Sequence, residues 1–201
     1  MIKNIIFDFG DVFINLDKQI IIRKMLEFGG TAELSDEIIL LNNDYEVGAI
    51  SSEEFIHKLG NLYPNAKPED IERVWNSMLL DFPDERLEFI ETLAAEGDYR
   101  LYLLSNTNAL HIPHVEKIMG HEKFYRFKTS FEKFYLSHEI KLRKPNPEIY
   151  EFVLNENGLK AEETFFIDDI EVNTNAAEKL GIRSWNLQVG KEDIVQLKSR
   201  L

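Results

Sequence analysis

Two hydrophobic patterns alternate along the chain. Short runs apolar at successive positions, Ile5-Ile6-Phe7, Leu101-Tyr102-Leu103-Leu104 and Thr164-Phe165-Phe166-Ile167, stand between longer stretches with helical spacing. A strand apolar at every position is buried on both faces, as in a parallel sheet covered by helices. Tyr135-Leu136 and Ser184-Trp185-Asn186-Leu187 are weaker strands. Among the helical patterns, Ile71, Val74, Trp75, Met78 and Leu79 form a one-sided stripe behind Pro68, which suits a first helical turn. Phe55, Ile56, Leu59 and Leu62 form a second, with Ser51 and Glu54 spaced as a capping box. Ile149, Tyr150, Val153 and Leu154 form a third, opened by Asn146-Pro147 and closed by Gly158. Val172, Ala176, Ala177 and Leu180 form a fourth, closed by Gly181.

These elements are unevenly distributed. After the first strand, residues 17–83 hold only helical patterns and turns, whereas strand and helix alternate from about residue 84 onward. This is the pattern of an α/β sheet with a helical insertion behind its first strand. The 201 residues amount to about one and a third domains at roughly 150 residues each, which leaves room for the insertion.

Composition narrows the chemistry. The chain has no cysteine, which excludes thiolate catalysis, disulfide scaffolds and cysteine-ligated metals. Its 36 acidic and 23 basic residues give a net charge of −13, unsuited to a general grip on phosphate backbones or anionic membranes. The apolar run near Met1 is too short for a signal peptide, and no stretch approaches the roughly 20 apolar residues of a membrane span. The expectation is a cytoplasmic protein without a membrane partner. The sequence carries no signal of oligomeric state.

Each confident strand ends abruptly in polar groups: Asp8, Ser105-Asn106 and Asp168-Asp169. In an open parallel sheet the carboxyl ends of adjacent strands line one crevice, where ligands bind. Taken singly, each of these residues equally fits a turn or a helix cap. Adjacent Asp168 and Asp169 go beyond capping, since a cap needs one carboxylate and the two repel unless a cation offsets them. Lys141-Leu142-Arg143-Lys144 precedes a helix. It fits either an exposed basic turn or a source of that cation, with Lys144 reaching the crevice to neutralise a phosphoryl oxygen.

Together these residues resemble the four motifs of the haloacid dehalogenase-like hydrolase superfamily. Asp8-Phe9-Gly10-Asp11-Val12 is similar to the first, Leu104-Ser105-Asn106 to the second, Lys144-Pro145 to the third and Ile167-Asp168-Asp169 to the fourth. The longer strings Leu104-Ser105-Asn106-Thr107-Asn108 and Arg143 to Tyr150 resemble the branch containing bacterial alpha-D-glucose-1-phosphate phosphatases and the N-terminal phosphatase of soluble epoxide hydrolases. The resemblance implies a three-layer Rossmann-like α/β core with a parallel sheet, formed by residues 1–16 and 84–201. It also implies a small helical C1-type cap, residues 17–83.

By the same resemblance, the activity is Mg²⁺-dependent phosphomonoester hydrolysis through an aspartyl-phosphate. The substrate is a small phosphorylated metabolite, with sugar phosphates among the candidates. Asp8 and Lys144 are the implied catalytic residues. Ser105, Asn106 and Lys144 bind the phosphoryl group. Asp8, Gly10 (through its carbonyl) and Asp169 hold the metal, and Asp168 supports them from behind or through water. One departure stands out: most phosphatases of the superfamily carry an aspartate as general acid/base two residues after the nucleophile, and here that position is Gly10. Asp11 is displaced by one, which in extended backbone turns it to the other face. Gly10→Asp is then expected to help poor leaving groups most.

Two alternatives compete. A metal-independent 2-haloacid dehalogenase would carry a different fourth motif. A phospho-ligand or nucleic-acid binding module would use residues 121–145, where seven basic residues interleave with six aromatics. That stretch fits core beside a solvated face better, and nucleic acid is not expected as a partner. His111 and His114 flank Ile112-Pro113 and lack a third ligand, which suits a loop or helix start rather than a metal pair. Asn15, Tyr45 and Glu46 are candidates for substrate choice.

Overall fold

A computed structural model of the chain describes residues 1–29, 35–63 and 65–201. The expected apolar runs form strands β1 (Asn4–Phe7), β2 (Arg100–Ser105), β3 (Lys133–Leu136), β4 (Thr164–Asp168) and β5 (Arg183–Asn186). They pair in parallel in the order β3-β2-β1-β4-β5. Chain direction across the sheet reverses between β1 and β4, the switch point at which open α/β sheets place their ligands. Phe7 sits in register with Leu103 of β2 and Ile167 of β4. One step further on, Asp8 and Asp168 leave the sheet side by side.

Helices α1 (Ile20–Met25), α2 (Asp36–Glu46), α3 (Ser52–Leu62) and α4 (Pro68–Asn76) follow β1. After them come α5 (Asp84–Glu96), α6 (His111–Met119), α7 (His121–Thr129), α8 (Ser137–Ile140), α9 (Pro147–Asn157) and α10 (Glu171–Glu178). Strand side chains alternate between two faces, as a pleated backbone requires. Ile5, Phe7, Leu101, Leu103, Phe165 and Ile167 pack with residues of α5, α6 and α7. Ile6, Tyr102, Leu104 and Phe166 pack with residues of α9 and α10. The result is a Rossmann-like α/β sandwich with helices on both faces of the sheet.

Residues of α1 to α4 make a separate apolar cluster that includes Tyr45, Phe55, Leu59, Val74 and Trp75. The chain leaves and rejoins the sheet layer through a short antiparallel contact. Leu16 bridges Leu79, Asn15 N–H donates to Asp81 O (2.9 Å) and Leu80 N–H to Asn15 O (2.9 Å). Pro68 opens α4 as its spacing suggests. Only half of the expected capping box forms at α3: Glu54 N–H donates to Ser51 Oγ (3.1 Å), but the Glu54 carboxylate turns to Lys58 (2.8 Å). Gly48, in the turn after α2, has φ +63°, and a Cβ there would lie 2.3 Å from His138 O, so glycine lets α2 close on α8.

The aromatics of residues 121–145 are core. Phe124, Phe127, Phe131 and Tyr135 are buried, and only Tyr125 is well exposed. The base-stacking face required by the binding-module alternative is spent inside the fold. Among the described residues, no helix is long and apolar enough to cross a membrane.

Candidate active site

At the end of β1, Asp8 is buried, with its N–H bonded to Ile167 O (2.8 Å). Lys144, only 1% exposed, reaches between the two central strands. Its Nζ lies 2.6 Å from Asp8 Oδ1 and 2.7 Å from Asp168 Oδ2. A fully buried ammonium is tolerable only when paired this closely. Asp168 is held in turn by Ile170 N–H (2.8 Å) and by Asn173 Nδ2, 3.1 Å from each carboxylate oxygen. Asn106 grips Lys144 from the other side: its Nδ2 donates to Lys144 O (2.9 Å) and its Oδ1 accepts from Lys144 N–H (2.9 Å). The Asn106 side chain is thus committed to Lys144, and any contact with a ligand falls to its backbone. The side chain of Ser105, buried at the end of β2, makes among the described residues only a long 3.4 Å hydrogen bond, from Oγ to Asn106 O.

Asp8, Asp168 and Asp169 can each bring one carboxylate oxygen within 4.8 Å of the others. The Gly10 carbonyl accepts no hydrogen bond among the described residues. This all-oxygen set, with more negative than positive charge, suits a hard divalent cation. The electrostatics agree. Burial pushes the Asp8 carboxyl up to about 7 against the pull of Lys144, and the neighbouring charges of Asp168 and Asp169 add to the push. Burial likewise raises Asp169, opposed by Lys18. Burial alone would lower Lys144, but Asp168 and Asp8 outweigh it and hold the amine charged.

Asp11 does not follow the extended-backbone expectation. Its φ is 54°, a left-handed turn that re-aims the carboxylate. Oδ1 accepts from Leu16 N–H (3.0 Å), and Oδ2 lies 2.9 Å from Lys18 Nζ. That same Nζ is 2.6 Å from Asp169 Oδ2. Lys18 had no sequence signal, being a lone lysine in a polar turn. Asn173 was equally hidden, since its role appears only when α10 follows β4.

A cavity of about 260 Å³ adjoins these groups. Gly10, Ser105 and Asn106 wall it on the sheet side, Asn42, Glu46 and Trp75 on the helical side. Of the residues suggested for substrate choice, only Glu46 lines it, held by Arg143 (2.9 Å). Asn15 is engaged with Asp81 (3.1 Å) and Arg86 (3.0 Å). Tyr45 stacks on Phe55 at 4.3 Å and bonds Ser52 (2.7 Å).

His111, at the start of α6, is buried and ties the two sides together. Asn108 Oδ1 accepts from Leu110 and His111 N–H (3.1 and 3.0 Å), so Asn108 Nδ2 faces His111 Nδ1 at 3.2 Å. The acceptor is therefore Nδ1, and the proton sits on Nε2, 3.4 Å from Trp75 O. Burial lowers this imidazole to about 4 and keeps it neutral.

The sequence model of the haloacid dehalogenase-like hydrolase family matches residues 2–181. D-ribitol-5-phosphate phosphatase of Bacteroides thetaiotaomicron is 27% identical over 201 residues, covering 96% of this chain and 95% of that protein. A haloacid dehalogenase-family enzyme of the same species, solved in complex with magnesium and inorganic phosphate, superposes with a TM-score of 0.80 at 34% identity, over 96% and 97% of the two chains. A haloacid dehalogenase-like hydrolase from Porphyromonas gingivalis superposes with a TM-score of 0.81 at 31% identity, over 100% of this chain and 97% of its own.

Proposed function

The chain belongs to the haloacid dehalogenase-like hydrolase family, and from that premise we propose that it is a Mg²⁺-dependent phosphomonoester hydrolase with Asp8 as its nucleophile. The observation that carries this reading is Lys144, buried and paired with both Asp8 and Asp168, whose carboxylates lie within reach of that of Asp169. When bound, Mg²⁺ supplies the charge that lets a carboxylate approach a phosphate. Asp8, Asp169 and the Gly10 carbonyl are the residues that would hold it.

Lys144 occupies Asp8 Oδ1, which leaves Oδ2 to attack phosphorus. The Asp8–phosphorus bond forms as the ester P–O bond breaks, and water then hydrolyses the aspartyl-phosphate. Ser105 Oγ and the backbone beside Asn106 donate to the phosphoryl oxygens, and Lys144 offsets the charge that builds on them. Asp168, fixed by Ile170 and Asn173, orients Lys144. Residues 17–83 act as a cap whose inner wall selects the substrate. The small cavity and the relative named as a D-ribitol-5-phosphate phosphatase both favour a short phosphorylated sugar or polyol.

The test is phosphate release from a panel of sugar and polyol phosphates with Mg²⁺. Turnover is expected to vanish in EDTA and to fall by at least about 10³-fold in Asp8→Asn. Full activity under either condition overturns the reading.

A further inference from the structure

The place of the missing acid is occupied in an unusual way. A Cβ on Gly10 would lie 2.8 Å from Leu16 Cδ1, so Leu16 covers the space into which an aspartate side chain would grow. Among the described residues that line the cavity beside Gly10, the lysine is Lys18. Its half-exposed side chain lines the same cavity as Gly10, Ser105 and Asn106. Asp11 and Asp169 fix its ammonium from two directions, at 2.9 and 2.6 Å. Asp169 contributes only Oδ2 to this pair, which leaves Oδ1 for a cation. An ammonium has three N–H donors. Two are taken, and the third has no acceptor among the described residues.

We propose that Lys18 is a further catalytic residue of this site, stabilising the leaving-group oxygen by a charge-assisted hydrogen bond where the family's usual acid is absent, with Asp11 as its positioning residue. The proposal rests on the phosphatase reading above. As the Asp8 oxygen bonds to phosphorus, the ester P–O bond breaks and its electron pair stays on the departing oxygen. Lys18 remains an ammonium throughout and donates a hydrogen bond to that oxygen, which takes its proton from water. Hydrolysis of the aspartyl-phosphate completes a balance of one water consumed per ester cleaved. The left-handed turn at Asp11 thereby acquires a purpose, because it points the carboxylate at Lys18 rather than into the sheet.

The experiment compares wild type, Lys18→Met, Lys18→Arg and Asp11→Asn, each with Mg²⁺, on aryl and alkyl phosphates of increasing leaving-group basicity. Lys18→Met is expected to lose about 10²-fold in kcat/KM on alkyl phosphates, the size of one lost donor at a developing oxyanion, and only a few-fold on p-nitrophenyl phosphate. Lys18→Arg should restore most of the loss. Asp11→Asn should steepen the leaving-group dependence in the same sense by a smaller amount. Mg²⁺ affinity, read from tryptophan fluorescence, should change by less than about threefold, well below one lost donor's effect. A uniform loss across the series, no loss, or a loss accounted for by weakened Mg²⁺ binding overturns the role of Lys18. If Lys18→Met does not fold, Asp11→Asn carries the same test, and an unchanged slope there overturns it equally. Absence of Mg²⁺-dependent phosphate release from wild type would instead remove the phosphatase reading itself.

Discussion

The two walls of the cavity treat polar groups differently. On the strand-end side the buried charges are engaged more than once: the Lys144 ammonium by two carboxylates, with Asn106 holding its backbone, and Asp168 by Lys144, Ile170 and Asn173. On the helical side Trp75, 6% exposed, lines the cavity, and its indole N–H has no partner among the described residues. A buried donor without a partner costs roughly 1–3 kcal/mol. The strand ends therefore hold one geometry firmly, while the helices keep hydrogen-bonding capacity in reserve. Invariant phosphate chemistry suits the first wall and choice among organic groups suits the second.

The largest expected effect breaks the strand-end wall. Lys144→Met leaves Asp8 and Asp168 buried without their cation and should cost about 3–5 kcal/mol, read as a fall in denaturation midpoint together with loss of turnover. A variant as stable as wild type would show that the carboxylates do not depend on this pair.

Next comes the seam between the walls. His111 is held near 4 in the fold, against an ordinary value of 6.5, by burial. Below pH 6.5 the unfolded chain takes up a proton that the folded imidazole refuses. Its contribution to stability is therefore complete above 6.5 and lost as pH falls toward 4, by up to about 3 kcal/mol at 1.36 kcal/mol per pH unit. His114 and His138 are also lowered by burial and act in the same sense. Asp8, raised by burial, acts in the opposite sense, so the quantity to read is the difference between wild type and His111→Gln. That difference should stay level from pH 7.5 to about 6.5 and shrink from there to 4.5; a constant difference throughout would place the ring's value near its ordinary one.

The smallest effect sharpens the contrast. Trp75→Phe removes the unpartnered N–H together with part of the indole ring, and keeps an aromatic ring beside Phe55, which Trp75 meets at 4.7 Å. Stability should change by no more than about 1 kcal/mol, because relief of the unpartnered donor opposes the lost packing, while KM for a hydroxylated substrate rises several-fold and that for a plain aryl phosphate does not. An equal change on both substrates would mean that the indole N–H does not meet substrate hydroxyls.

The central strands were legible because β1, β2 and β4 are apolar on both faces and stop at a polar residue. The edge strands β3 and β5 were weaker because one side of each meets solvent, which mixes polar residues such as Lys133 and Arg183 into them. Asp8, Ser105, Lys144 and Asp169 could be picked out since each stands at a strand end or before a helix. Lys18 and the re-aimed Asp11 could not, because they depend on a contact 151 positions apart in sequence and on φ at a single residue, and Asn173 could not because its reach back to Asp168 depends on how α10 leaves β4. The same limit hid Leu16, which lies over Gly10 only because the chain turns back there. Gly10→Asp alone must therefore displace a leucine before it can supply an acid.

Leu16 also bridges Leu79, and Lys18 follows two residues later, just ahead of α1. The stem that fastens the helical layer to the sheet and the arm that carries the cation are thus one continuous piece of chain. Asp11 and Asp169 on the sheet side hold that ammonium, so any tilt of the helical layer would pull against both ion pairs.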